Sequence, residues 1–165
     1  VTPVALLLLA AAVAAPEAHP DFAPGARATL DVSAGAFEIA HPDERAAEVG
    51  LKYRASGHLW LLHPIAGAMA TSDGAFNLFG GFSIDLPLGK GPLVRGSFAP
   101  GYSNRGHGKD LGYALEFRSS VEIGWRFDAG WSLGVEWYHL SNARLGDKNP
   151  GDASLLVTLT LPLGR

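Results

Sequence analysis

From Ala28 to Leu163 apolar and polar residues alternate with a period of two, in runs broken by Gly, Asn, Asp or Pro. That period puts alternate side chains on opposite faces of an extended chain, so each run reads as a β-strand. Eight strands are predicted: Ala28–Ile39, Ala46–Ala55, Leu59–Met69, Ala75–Leu86, Pro92–Tyr102, Ala114–Phe127, Gly130–Ser141 and Ser154–Leu163. Val49, Leu51 and Tyr53 alternate with Glu48, Gly50, Lys52 and Arg54 in the second. In the sixth, Leu115, Phe117, Val121, Ile123 and Trp125 oppose Glu116, Arg118, Ser120, Glu122 and Arg126. No helical period interrupts the series.

Strands of about ten residues have the length that a tilted strand needs to cross a bilayer. The breaks alternate short (Asp128-Ala129) and long (after Ser141), as they do when an up-and-down barrel has tight turns at one rim and loops at the other. The expected fold is therefore all-β, an eight-stranded antiparallel transmembrane barrel. Alternation by itself does not say which face is inside, and a soluble lipocalin-like barrel inverts the two. Trp and Phe near strand ends favour the membrane reading, because aromatic girdles sit at the bilayer interfaces. Lys52, Arg54, Arg118, Glu122, Arg126 and Glu136 then point into a small lumen, where opposite charges pair across strands. These are read as structural.

The 21 glycines and 16 aromatic residues fit many strands with sharp turns. A net charge of −3 with mixed signs argues against a nucleic-acid partner. With no cysteine, neither a disulfide framework nor a thiolate zinc site is available. Residues 4–15 are an Ala/Leu/Val run ending in small residues, which reads as an export signal too short to span a membrane. The expected organisation is a signal peptide over 1–15, a Pro-rich lead over 16–27 and a barrel over 28–165.

The seventh strand carries the candidate chemistry. Counting back by twos from Ser141 gives His139, Trp137, Val135 and Leu133, the apolar parity, so an imidazole and a hydroxyl are neighbours on the face that a membrane barrel turns to lipid. Histidine beside serine is how a serine ester nucleophile is activated. The other histidines, His19, His41, His58, His63 and His107, show no paired metal-ligand spacing. No Gly-x-Ser-x-Gly elbow marks an α/β-hydrolase.

The stretch from Leu115 to Gly124, then Trp137-Tyr138-His139-Leu140-Ser141-Asn142-Ala143, then Asn149-Pro150-Gly151, resembles the lipid A 3-O-deacylases of Gram-negative outer membranes. The resemblance implies an eight-stranded outer-membrane barrel acting on lipid A, within lipopolysaccharide and among outer-membrane lipids, as an ester hydrolase without metal or other cofactor. It implies Ser141 as nucleophile and His139 as general base, with Asn142 or Asn149 supplying amide donors to the oxyanion. The family orients its histidine with a Glu two residues after the Gly of the turn, and Ala153 stands there in this chain. Three outcomes are open: Asp152 takes the role, Asp147 takes it, or the site is a dyad with weakened turnover, since loss of the acid costs a triad about 10⁴ in rate. Asp152 is the expected acid. Arg105, Lys109, Arg144 and Lys148, in loops at the same rim, are candidate contacts for lipid A phosphates. The competing reading is a structural or binding barrel that kept the scaffold and lost catalysis.

Overall fold

The computed structural model describes residues 27–56 and 61–164. The expected signal peptide and nearly all of the lead lie outside the described residues. Eight strands close into one antiparallel barrel: β1 (Thr29–Phe37), β2 (Ala46–Arg54), β3 (Leu62–Thr71), β4 (Phe76–Pro87), β5 (Pro92–Asn104), β6 (Leu115–Arg126), β7 (Ser132–Ser141) and β8 (Asp152–Pro162). Each strand pairs with the next, and β8 returns to β1 through pairs such as Ala34↔Val157 and Leu30↔Leu161. A three-residue 3₁₀ turn, Pro42–Glu44, is the helical structure found among the described residues. No described helix is long and apolar enough to cross a membrane, which says nothing of a barrel that crosses with strands.

Strand positions agree with the alternation pattern to within two residues, except that the first two residues expected in the third strand, Leu59 and Trp60, lie outside the described residues. β8 starts two residues earlier than expected, because Asp152 pairs with Leu140 and the next carbonyl, that of Ala153, accepts the Ile39 N–H at 2.7 Å. The backbone there is satisfied from both sides, so the ladder extends past the polar residue.

The two faces settle the choice between membrane and soluble barrels. Outward side chains such as Val49, Leu51, Phe82, Phe98, Val135 and Val157 are exposed, with Ile123 67% exposed. Charged residues of the opposite parity are buried. A soluble lipocalin-like barrel needs the reverse arrangement, so that alternative is excluded. Inside, Lys52 sits 3.3 Å from Asp31 and 3.2 Å from Glu136, and Arg118 is 3.0 Å from the same Glu136 oxygen. Arg95 bonds Asp85 at 2.9 Å and Glu122 at 2.8 Å, and Arg54 pairs with Asp85 and Asp31. Four cations thus meet four carboxylates, which is the condition under which ions are tolerated out of water. The Arg118 guanidinium also stacks 3.9 Å from the Tyr138 ring, whose hydroxyl donates to Glu48 at 2.6 Å. These contacts make the lumen a packed polar core rather than a pore.

The rims differ. Residues 88–91 and 127–131 make short turns at the rim where both described chain ends lie. Residues 38–45, 105–114 and 142–151 form longer loops at the other, where β7 delivers Ser141 and one short turn, 72–75, also lies.

Candidate active site

β7 alternates buried and exposed residues as far as Tyr138 and Leu140, placing Leu133, Val135, Trp137, His139 and Ser141 on the outer wall. Trp137 and His139 stack with ring planes 8° apart and centroids 6.4 Å apart, so the indole supports the imidazole from the membrane side. Ser141 ends the strand, and its Oγ accepts the Ala143 N–H at 3.2 Å.

The imidazole is held from β8 and the turn before it. His139 Nδ1 hydrogen-bonds the backbone carbonyl of Asp152. A carbonyl only accepts, so Nδ1 carries the proton and Nε2 is the unprotonated, basic nitrogen. Asp152, the expected acid, meets the ring through this carbonyl rather than through its carboxylate. Asp152 lies on the lumen parity of β8, buried, with its Oδ2 accepting the Ser154 hydroxyl at 2.7 Å. Ala153 is the outward residue in register with His139, and a methyl group there offers the ring no charge. Asp147 is exposed in the loop. Gly151 supplies what the sequence reading missed: a Cβ there would stand 2.6 Å from His139 Cε1 and 3.3 Å from Nε2. Its φ of 67° is also one that side-chain-bearing residues rarely adopt. The ring therefore rests on bare backbone.

The loop after Ser141 is tied down by Asn142, which is fully buried. Its Nδ2 donates to the carbonyls of Leu111 (2.9 Å) and Lys148 (2.8 Å), and its Oδ1 accepts the Arg144 N–H at 2.9 Å. Both amide protons of Asn142, one of the two expected oxyanion donors, are engaged by these carbonyls. Asn149 Oδ1 accepts the Asn142 N–H at 3.0 Å, which turns the Asn149 amide nitrogen away from that bond at an exposed position. Ala143 and Arg144 both have positive φ, 53° and 65°. Two consecutive left-handed residues without glycine are strained, each by roughly 1–2 kcal/mol. The Asn142 bonds on either side hold that bend in place beside Ser141 Oγ.

With this geometry in view, the comparisons decide the family. A family model described as lipid A 3-O-deacylase (PagL) matches residues 31–162. The chain belongs to the lipid A 3-O-deacylase family. Lipid A deacylation in the outer membrane is thus the family's activity and place, and the apolar-walled barrel fits them. Among solved structures the chain is similar to "Crystal structure of the outer membrane enzyme PagL" (21% identity, covering 82% of this chain and 99% of that one, TM-score 0.64). It is also similar to a structure from "De novo design of transmembrane beta-barrels" (12% identity, covering 84% and 97%, TM-score 0.58). At these identities the structures show the fold. The search of curated proteins found no match.

In this member of the deacylase family the rim cations are not all available to a ligand. Lys109, expected to face substrate, is buried and holds Glu38 and, at 3.4 Å, Glu44. Burial opposes the charge on Glu38, but Lys109 and His41 outweigh it and hold the carboxyl below 4.5. Burial likewise opposes the charge on Lys109, and Glu38 outweighs it to hold the amine above 10.5. His41 shares a cluster with Glu38 and Glu44, yet the Lys109 ammonium already sits on both carboxylates. Arg105 and Lys148 share Asp110 Oδ2 at 3.1 and 2.9 Å, linking the 105–114 and 142–151 loops. Arg144 is exposed.

Proposed function

We propose that this protein hydrolyses the 3-position acyl ester of lipid A through Ser141 and His139 on its lipid-facing wall. The observation that carries the reading is that these two groups share the outer apolar face at the loop-bearing rim, with the Nδ1 proton of His139 committed to a backbone carbonyl. A substrate that is itself a membrane lipid reaches that face without leaving the bilayer.

In this mechanism His139 Nε2 takes the hydroxyl proton as Ser141 Oγ attacks the ester carbonyl carbon. The Ala143 N–H, already in contact with Oγ, and the Asn149 amide lie on the loop side, where they can donate to the oxyanion. Collapse breaks the bond to the sugar oxygen, which receives the proton from the imidazolium. The same imidazole then deprotonates a water that cleaves the acyl-serine and releases the fatty acid. The carbonyl of Asp152 replaces the family's glutamate in fixing the tautomer. It carries no full charge, so it stabilises the imidazolium less than a carboxylate does.

The test is mass spectrometry of lipid A incubated with detergent-refolded protein beside Ser141→Ala. Loss of one acyl mass, reduced at least about 10⁴-fold in the variant, is expected. A folded barrel that removes nothing from several lipid A types overturns the reading. The outcome would favour the non-catalytic scaffold, for which Ala153 is the specific observation.

A further inference from the structure

We infer that Ser119 is a specificity-determining residue that hydrogen-bonds a hydroxyl carried by the departing acyl chain close to its ester. The inference rests on Ser141 being the nucleophile.

Outward positions on the eight strands are apolar, Gly, Pro or Tyr, with four exceptions. One is Asn104, at the end of β5, whose Oδ1 accepts the Gly106 N–H and so caps a turn. The other three are Ser119, His139 and Ser141. They are contiguous: Ser119 is the register partner of His139, and Ser141 lies two residues further along β7. An unpartnered hydroxyl facing hydrocarbon is unfavourable, so its place beside the candidate nucleophile calls for a polar partner.

That partner is not the imidazole. The Nδ1 of His139 is bound to the Asp152 carbonyl and its Cε1 lies over Gly151, both on the β8 side, whereas Ser119 lies on β6. Toward the rim Ser119 is followed by Phe117, which stacks on Phe98 at 5.8 Å, and toward the membrane centre by Val121. The Ser119–His139 pair is one side-chain repeat deeper in the membrane than the Phe117–Ser141 pair. That repeat is roughly 7 Å, a span covered by the first few carbons of a chain descending from Ser141. A plain hydrocarbon there leaves the Ser119 hydroxyl unpaired, and a hydroxylated acyl chain pairs it.

The experiment uses p-nitrophenyl esters of 3-hydroxytetradecanoic and tetradecanoic acid in detergent micelles, with wild-type, Ser119→Ala, Ser119→Thr and Ser141→Ala proteins. Each is first shown to be folded by heat-modifiable gel migration. Wild type is expected to favour the hydroxy ester in kcat/KM by about fivefold, the value of one neutral hydrogen bond. Ser119→Ala should lose that preference through the hydroxy ester alone, with its pH profile and its rate on the plain ester unchanged, and Ser119→Thr should keep it. Equal loss on both esters, or a wild type without preference, overturns the inference while Ser141-dependent hydrolysis still stands. If wild type and Ser141→Ala behave alike on both esters, the nucleophile assignment fails and Ser119 falls with it.

Discussion

The lumen and the outer wall of this barrel use polar residues in opposite ways. Inside, Asp31, Lys52, Arg54, Asp85, Arg95, Arg118, Glu122 and Glu136 are all charged and all paired, and they fill space. Outside, polar side chains are few, and of the three that cluster His139 and Ser141 bond backbone groups while Ser119 stands beside them. A dense network of matched ions is evidence of packing, because each ion's charge is met by an opposite charge beside it. Sparse polar groups on a greasy wall are better evidence of chemistry, since their unspent capacity faces the substrate.

This contrast is open to attack at several points. Glu136→Gln withdraws the carboxylate from both Lys52 and Arg118 and should destabilise the barrel by about 3–5 kcal/mol, read as a lower urea midpoint, while deacylation by the remaining folded protein is unchanged. If activity falls as steeply as stability, the lumen is part of the catalytic machinery and the contrast fails. Gly151→Ala should do the reverse. Its methyl group displaces the imidazole and should lower kcat by about 10²-fold with folded migration retained.

Ala153→Glu places a carboxylate on the outer wall in register with His139 and should raise kcat by about tenfold, the direction expected when a charged acceptor replaces a neutral carbonyl. Its companion, Asp152→Asn, keeps the backbone carbonyl and should stay within about twofold of wild type. A large loss in Asp152→Asn would return the role to the carboxylate.

The smallest effect expected concerns the Glu38–Lys109 contact between the 38–45 and 105–114 loops. Glu38 has a depressed pKa, so its contribution is complete above 4.5 and is lost as pH falls through the folded value below it. The pKa of Lys109 is raised, so its contribution is complete below 10.5 and is lost as pH rises through the folded value above it. Protease resistance of these loops should be level between those limits and decline outside them. Lys109→Met should reduce it at neutral pH, and a level profile in the native chain beyond both limits would show that the contact contributes little.

Much of the architecture was legible in the chain because strand parity is local. Each residue of β6 or β7 reveals its face by its neighbours two positions away, and eight such runs of bilayer-crossing length leave few ways to hide their backbone groups. That His139 and Ser141 share a face was legible for the same reason. Ser119 carried an equal signal, sharing parity with Phe117 and Val121, although a lone serine among apolar residues draws little notice until its strand partner is known.

What the sequence determined by itself was the strands, their count and the apolar parity that the Ser–His pair shares, all properties of a period-two pattern; that this parity faces outward came from the folded barrel. Tertiary structure alone decided what touches the histidine. Strand register put Ala153 rather than an acid beside it, pleat turned the Asp152 side chain inward and left its carbonyl at the ring, and the left-handed turn at Gly151 brought backbone against the imidazole. These neighbours lie 12 to 14 positions from His139 across a loop, and the main-chain atoms among them are the same in every residue, so no residue type announces them.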